Sequence, residues 1–205
     1  VQKMSVVIAP GFYVFTQEPR ATNQELSGAV QAVIVGDPDG SLPGANKEAE
    51  EISDFLKVSA LIGRDATKAR IQGELNAQNK NSLIHLATHG VADAENPLDE
   101  SYLQLYKDKW TAREISALQL KSRPLVVMSA CQTGLGKNFG VGTIGLARAW
   151  QWAGASSVVM SLWNIDDEAT RELMKRFIEQ STNLPPDKAL QAAMQAMSLD
   201  TQTTG

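Results

Sequence analysis

The chain of 205 residues carries one cysteine, Cys131, and two histidines, His85 and His89. Cys131 directly follows the apolar run Leu125-Val126-Val127-Met128-Ser129-Ala130, and His89 directly follows Leu83-Ile84-His85-Leu86-Ala87-Thr88. If both runs are neighbouring parallel strands, thiol and imidazole emerge from the same edge of one sheet, where α/β folds place their chemistry. A free thiol titrates near pH ~8.5, so nucleophilic work at neutral pH needs an adjacent base or cation. An imidazole, with its pKa of about 6.5, can stabilise the thiolate and then protonate a leaving amine. Gly90 after His89 lets a backbone N–H approach a substrate carbonyl with no side chain in the way. Together with the amide of Cys131 it would form an oxyanion hole. These residue types describe acyl transfer through a Cys-His dyad, and hence a cysteine peptidase.

Each residue taken alone has a plainer reading. A lone cysteine ending a buried strand is a small core hydrophobe, and a His-Gly pair is an ordinary strand stop. Two reactive residues that each close an apolar run in an α/β pattern are what point to catalysis. His85 lies inside its strand and reads as a hydrogen-bonded core histidine.

The elements that must position this pair alternate along the chain. Residues 1–28 form an irregular lead-in, and Ala32-Val33-Ile34-Val35 is a short buried strand stopped by Gly36-Asp37-Pro38-Asp39-Gly40. Ala45, Ala49, Ile52 and Leu56 then fall at helical spacing, with Glu48, Glu50 and Glu51 expected on a solvated face in the early turns. A strand at 59–62, a helix at 67–78 and the strand carrying His85 follow. The interval 91–120 predicts a small hairpin, from the alternation Tyr102-Leu103-Gln104-Leu105-Tyr106, and a short helix at 112–118. After the Cys131 strand, the glycine-rich stretch 132–142 predicts a mobile loop. A helix at 143–153 ends at Gly154, with Trp150 and Trp152 expected in the core. The strand 157–163 leads to Asp166-Asp167, good caps for a helix that turns Leu173, Met174, Phe177 and Ile178 inward. A last helix opens near Pro185-Pro186 with Leu190, Ala193, Met194 and Met197 on its buried stripe. This alternation predicts a parallel sheet covered on both faces.

Composition narrows the function. With 43% hydrophobic residues the chain can bury one core, and 19 basic against 23 acidic residues leave a net charge of −4 without a Lys/Arg cluster. Nucleic acid is therefore not expected as a direct ligand. One cysteine allows neither an internal disulfide nor a multi-thiolate metal site, so no metal is expected and the compartment reads as reducing. No apolar run approaches the ~18 residues of a membrane span and no signal-peptide h-region opens the chain, so a cytoplasmic protein is expected. Val1 in place of an initiator methionine is read as the mark of a segment from a longer polypeptide. Gly140-Val141-Gly142-Thr143-Ile144-Gly145 meets G-x-G-x-x-G, but it neither follows its strand at once nor belongs to a first βαβ unit. Gly134-Leu135-Gly136-Lys137 lacks the Ser/Thr of a phosphate loop, and no organic cofactor is expected.

Several motifs together resemble the CHAT domain, a caspase-like module usually found after tetratricopeptide repeats and a relative of separase. They are HLATHG (His85 to Gly90), SACQTGLG (Ser129 to Gly136), GLARAW (Gly145 to Trp150), AGASSVVMSLWNIDDEAT (Ala153 to Thr170) and VGDPDGSLPGANKEAEEI (Val35 to Ile52). The resemblance covers about Val30 to Met197. It departs from a caspase proper, since Thr133 intervenes between Ala130-Cys131-Gln132 and the glycine. It implies a three-layer α/β sandwich with a mainly parallel central sheet and helices on both faces, spanning residues 29–198 between the lead-in and a polar tail at 199–205. It implies Cys131 as nucleophile, His89 as general base and acid, and the amides of Gly90 and Cys131 as oxyanion donors, with no third member assigned. In relatives that prefer a basic P1 residue, acidic groups line the S1 pocket. Asp37 and Asp166 match two such places, while Ser129 stands at the third, where aspartate is common. Asp166 reads equally as a helix cap, and Trp163 either as a subsite wall or as core. The function so implied is a cysteine endopeptidase acting on a protein or peptide, gated by an upstream tetratricopeptide-repeat or sensor region. The alternatives are a catalytically silent signalling or scaffold module of the same fold, and a different acyl transfer on the same dyad.

Overall fold

In the computed structural model, residues 26, 30–78, 82–129, 141–160 and 167–203 are described. In chain order the elements are β1 (Ala32–Gly36), α1 (Pro43–Leu56), β2 (Ala60–Ile62), α2 (Lys68–Gln78), β3 (Leu83–Ala87), β4 (Gly90–Val91), β5 (Tyr102–Leu105), β6 (Asp108–Thr111), α3 (Ala112–Ser116), β7 (Leu125–Met128), α4 (Val141–Ala153), β8 (Ser157–Met160), α5 (Asp167–Ser181) and α6 (Pro186–Thr203).

The apolar runs that lack polar alternation become strands of one parallel sheet, because a sheet covered on both faces needs apolar side chains on both. Its order is β2-β1-β3-β7-β8, and every pairing is parallel. Successive residues point to opposite faces. Val33, Val35, Ile84, Leu86, Val126 and Met128 pack with Ile71, Leu75, Ile115, Ala149 and Trp150 of α2, α3 and α4. Ile34, Leu83, Leu125 and Val127 pack with Ala49, Ile52, Phe177, Ile178, Ala189 and Ala193 of α1, α5 and α6. The result is the expected three-layer α/β sandwich. Gly36 admits a close approach of α1 to the sheet: a Cβ there would lie 2.4 Å from Ala49 Cβ and 3.0 Å from the Ala45 carbonyl.

The interval after His89 adds a small antiparallel sheet, β4-β5-β6, followed by α3. Leu103 and Leu105 are buried from its alternating strand, and Trp110 meets Trp150 edge-to-face at 5.4 Å. Thr111 and Glu114 form a reciprocal capping box at the start of α3.

Five expectations need correction. The α1 helix begins at Pro43, whose fixed φ suits a first turn, so the acidic run lies beyond the first turn. Glu48 is 2% exposed and not solvated, because it shares the apolar stripe with Ala45, Ala49 and Ile52. Trp152 is 64% exposed while Trp150 is buried, since residues two apart on a helix face different ways. Met194 is half exposed, and Ala189 and Ala193 carry the buried stripe of α6. The α4 helix starts at Val141, taking in the last two residues of the expected loop; the rest of that loop lies outside the described residues.

Candidate functional site

The strand order reverses at β1. From β1 the chain passes through α1 to β2 on one side, whereas β3 lies on the other side, next to β7. The carboxyl ends of β1 and β3 therefore flank a topological switch point, where α/β sheets usually hold a ligand crevice. His89 lies on the β3 side of this switch point and Ser41 on the β1 side. The two meet, with His89 Nε2 2.7 Å from Ser41 Oγ.

The loop after β1 is built for that meeting. Asp37 takes a left-handed conformation, φ 42°, its amide donates to the Ala87 carbonyl, and its Oδ1 accepts from the Leu42 amide at 2.8 Å. This closes a turn that presents Asp39 and Ser41 outward. The Ser41 hydroxyl donates to Asp39 Oδ1 at 2.7 Å, and the Ser41 amide donates to the same oxygen at 3.2 Å. Partial burial pulls the Asp39 carboxyl upward, but the Ser41 hydrogen bonds and the nearby His89 ring outweigh it and hold it below the ordinary aspartate range.

The backbone of the His89 segment is clamped by the small sheet. Thr88, fully buried, donates its hydroxyl to the Gln104 carbonyl at 2.7 Å, and the Gln104 amide donates to the His89 carbonyl at 2.8 Å. That second bond makes Gly90 and Leu103 a non-hydrogen-bonded pair, so the Gly90 N–H is not used by the β4–β5 ladder.

Beneath the switch point lies a second polar group. Leu83 and Val127 face α1, α5 and α6, so the period of two turns His85 and Ser129 to the same side. Glu48 of α1 bridges both: His85 Nε2 is 2.7 Å from Oε1, and Ser129 Oγ donates to Oε2 at 3.0 Å. His85 is thus a hydrogen-bonded core histidine, 0% exposed. A carboxylate thus lies directly behind Ser129, delivered by α1.

Asp37 sits at the end of β1 and shapes the loop through its bond to Leu42. Ser129 sits at the end of β7, while Cys131, Trp163 and Asp166 lie outside the described residues. Ser41, Asp39 and Glu48 are the site residues that sequence reasoning missed. Glu48 had a signal in its place on the helix stripe; Asp39 and Ser41 read as turn formers. Among the described residues no group of His, Cys, Asp and Glu side chains could hold a metal ion, and no helix is long and apolar enough to cross a membrane.

The family model for the CHAT domain matches residues 1–204. The chain belongs to the CHAT domain family. That family has a caspase-like fold and is related to the cysteine peptidases. The match takes in both the lead-in and most of the tail that flank the predicted domain. The chain is also similar to tetratricopeptide repeat protein 28 of Homo sapiens, at 26% identity over 83% of this chain and 9% of that protein. The protein of the same name from Mus musculus is 24% identical over 77% of this chain and 8% of its own length. This CHAT domain thus spans less than a tenth of the relatives it matches.

Proposed function

We propose that this CHAT domain is a cysteine endopeptidase in which His89 and Cys131 act as a dyad on a protein or peptide substrate. The observation that carries the proposal is the pairing of β3 with β7. Leu86 pairs with Met128, and His89 and Cys131 each follow their own strand's paired residue by three positions in sequence. An imidazole and a thiol leaving adjacent parallel strands at equal offsets beside a switch point fit covalent acyl transfer.

In the proposed cycle the Cys131 thiol gives its proton to His89, and the sulfur bonds to the scissile carbonyl carbon. The carbonyl oxygen takes the charge and accepts from the amides of Gly90 and Cys131. Collapse of the adduct breaks the C–N bond, with the imidazolium proton leaving on the amine. Water, deprotonated by His89, then cleaves the thioester and the proton returns to sulfur. Asp37, Ser129, Trp163 and Asp166 are proposed to line the substrate subsites. The matched relatives are named as tetratricopeptide repeat proteins, which supports an upstream repeat or sensor region as the gate. A cytoplasmic setting fits a mechanism that needs a reduced thiol.

Labelling with a peptidyl electrophile tests this reading. Cys131 is expected to be captured, more slowly in the isolated chain than in a longer polypeptide carrying the upstream region. His89→Ala should slow capture by about 10²- to 10⁴-fold. Absence of labelling with the upstream region present and engaged would favour the silent scaffold. Labelling without peptide fragments, read by product mass spectrometry, would favour a different acyl transfer.

A further inference from the structure

The three groups Asp39, Ser41 and His89 contain a proton count that fixes more than their distances. Two short contacts, Asp39 Oδ1 to Ser41 Oγ and Ser41 Oγ to His89 Nε2, are each 2.7 Å. Each needs a proton between its heavy atoms, since two lone pairs do not approach so closely without one. An ionised carboxylate has no proton to give, and a serine hydroxyl has one. That proton is directed to Asp39, so the second contact takes its proton from the ring. His89 Nε2 therefore donates to Ser41, and the neutral imidazole keeps its lone pair on Nδ1. Nδ1 is buried and has no hydrogen-bond partner among the described residues.

We infer that Ser41 and Asp39 are positioning residues that hold His89 in the Nε2–H tautomer and leave Nδ1 as the nitrogen that receives the Cys131 proton. The inference rests on the peptidase reading for the last clause alone; the tautomer belongs to the resting protein. In the forward step Nδ1 gains the thiol proton. The imidazolium then carries a proton on each nitrogen, Nε2–H still donating to Ser41, whose own proton still donates to Asp39. The charge created on the ring faces a carboxylate through one hydroxyl, and no proton leaves the line. Asp39 and Ser41 are both exposed and lie in a loop. Their arrangement therefore contributes little to the fold, and its replacement leaves the core untouched.

The direction of each substitution differs, which makes the assignment testable. Ser41→Ala removes the acceptor at Nε2, and the ring should relax toward a mixture of tautomers. Asp39→Ala frees the Ser41 proton to turn toward the ring, and the Nδ1–H tautomer should gain population. Ser41→Thr keeps a hydroxyl and should retain the parent tautomer.

The experiment is nitrogen-15 NMR of the histidine rings in the whole chain, where only two histidines give signals. His89→Ala identifies the ring by the signals it removes. The same variants are then reacted with the peptidyl electrophile in the longer polypeptide. Expected are an Nε2–H ring in the parent, a tautomer mixture in Ser41→Ala, a larger Nδ1–H share in Asp39→Ala, the parent tautomer in Ser41→Thr, and labelling slowed by up to roughly tenfold as the Nε2–H share falls. An Nδ1–H ring in the parent, or a ring unchanged by Ser41→Ala and Asp39→Ala, would overturn the inference. The expected tautomers with a Cys131 that never reacts would overturn the peptidase reading and leave the hydrogen-bond assignment standing.

Discussion

At the scale of single residues, Glu48 is the side chain on which most depends. Its two oxygens pair with His85 Nε2, fully buried, and with the half-buried Ser129 hydroxyl, from a helix that neither strand precedes in the usual crossover. Glu48→Ala strands both partners and leaves a void, so it should destabilise the fold by about 2–4 kcal/mol. Glu48→Gln retains one acceptor for His85 and offers an amide to the Ser129 hydroxyl, which can turn and accept. Its cost should be about 1 kcal/mol, measured as the shift in urea midpoint at unchanged slope. Equal losses for the two variants would show that packing, not the bridge, is what Glu48 supplies. The same residue marks a limit of sequence reading. His89, Gly90 and Cys131 stand out because each ends or follows an apolar run, whereas Glu48 stands in a run of acids of which Glu50 is exposed and Glu51 is half-buried beside Arg171. Only the helix phase distinguishes it, since position 48 falls between Ala45 and Ile52 on the apolar stripe. Ser41 and Asp39 were illegible for a different reason: turn residues and hydrogen-bonding residues are the same residues, and their partner is 48 positions away.

At the scale of elements, what was legible followed burial on both faces. The β1, β3 and β7 strands are near-continuous apolar runs because both sides of the sheet are covered. The order in which they pair is set by crossovers through helices and is not written in any one run. The seat of α1 on β1 gives a direct test. Gly36→Ala would bring a Cβ against Ala49 Cβ and the Ala45 carbonyl, so helix or strand must shift. A loss of about 1–3 kcal/mol is expected. Ala49→Gly in the same chain should recover part of it despite the poorer helix former, because it removes the atom that clashes; no recovery would argue against this contact.

The insertion is held to α2 by Lys68, which reaches Glu114 at 2.9 Å and Asp108 at 3.1 Å. Burial raises the Glu114 carboxyl, but Lys68 and the Thr111 hydrogen bonds outweigh it and leave it below its ordinary value. The Lys109 amide and Lys68 do the same for Asp108. Groups with depressed folded values contribute stability above the unfolded carboxylate range and lose it as pH falls through their folded values. Acidification below pH ~4 should therefore loosen this link, and Lys68→Met should remove that part of the acid sensitivity. The effect should stay within about 1 kcal/mol, since the carboxylates are substantially exposed. It is read as the difference between the pH–stability curves of the two proteins.

At the scale of the whole molecule, one sheet serves two cores. Every buried strand of it contributes alternate residues to each: Val33 and Val35 to one and Ile34 to the other, Ile84 and Leu86 against Leu83, Val126 and Met128 against Leu125 and Val127. Neither layer of helices can leave without exposing one face of strands whose other face is still packed. Loss of one core therefore removes the support of the other, and unfolding should be cooperative. With Trp152 and Trp163 replaced by phenylalanine in the proteins compared, Trp110 and Trp150 report on a single core, in which both are fully buried. Ile178 belongs to the opposite core. Ile178→Val should cost about 0.5–1.5 kcal/mol. If the sheet couples the layers, the full cost should appear as a shift of the tryptophan fluorescence transition in urea, coincident with the shift of the far-ultraviolet circular dichroism transition. A dichroism transition that moves while fluorescence stays in place would mean that the layers unfold separately. The switch point bordered by Ser41 and His89 would then lie on a seam between two independently stable halves, instead of at the end of one common sheet.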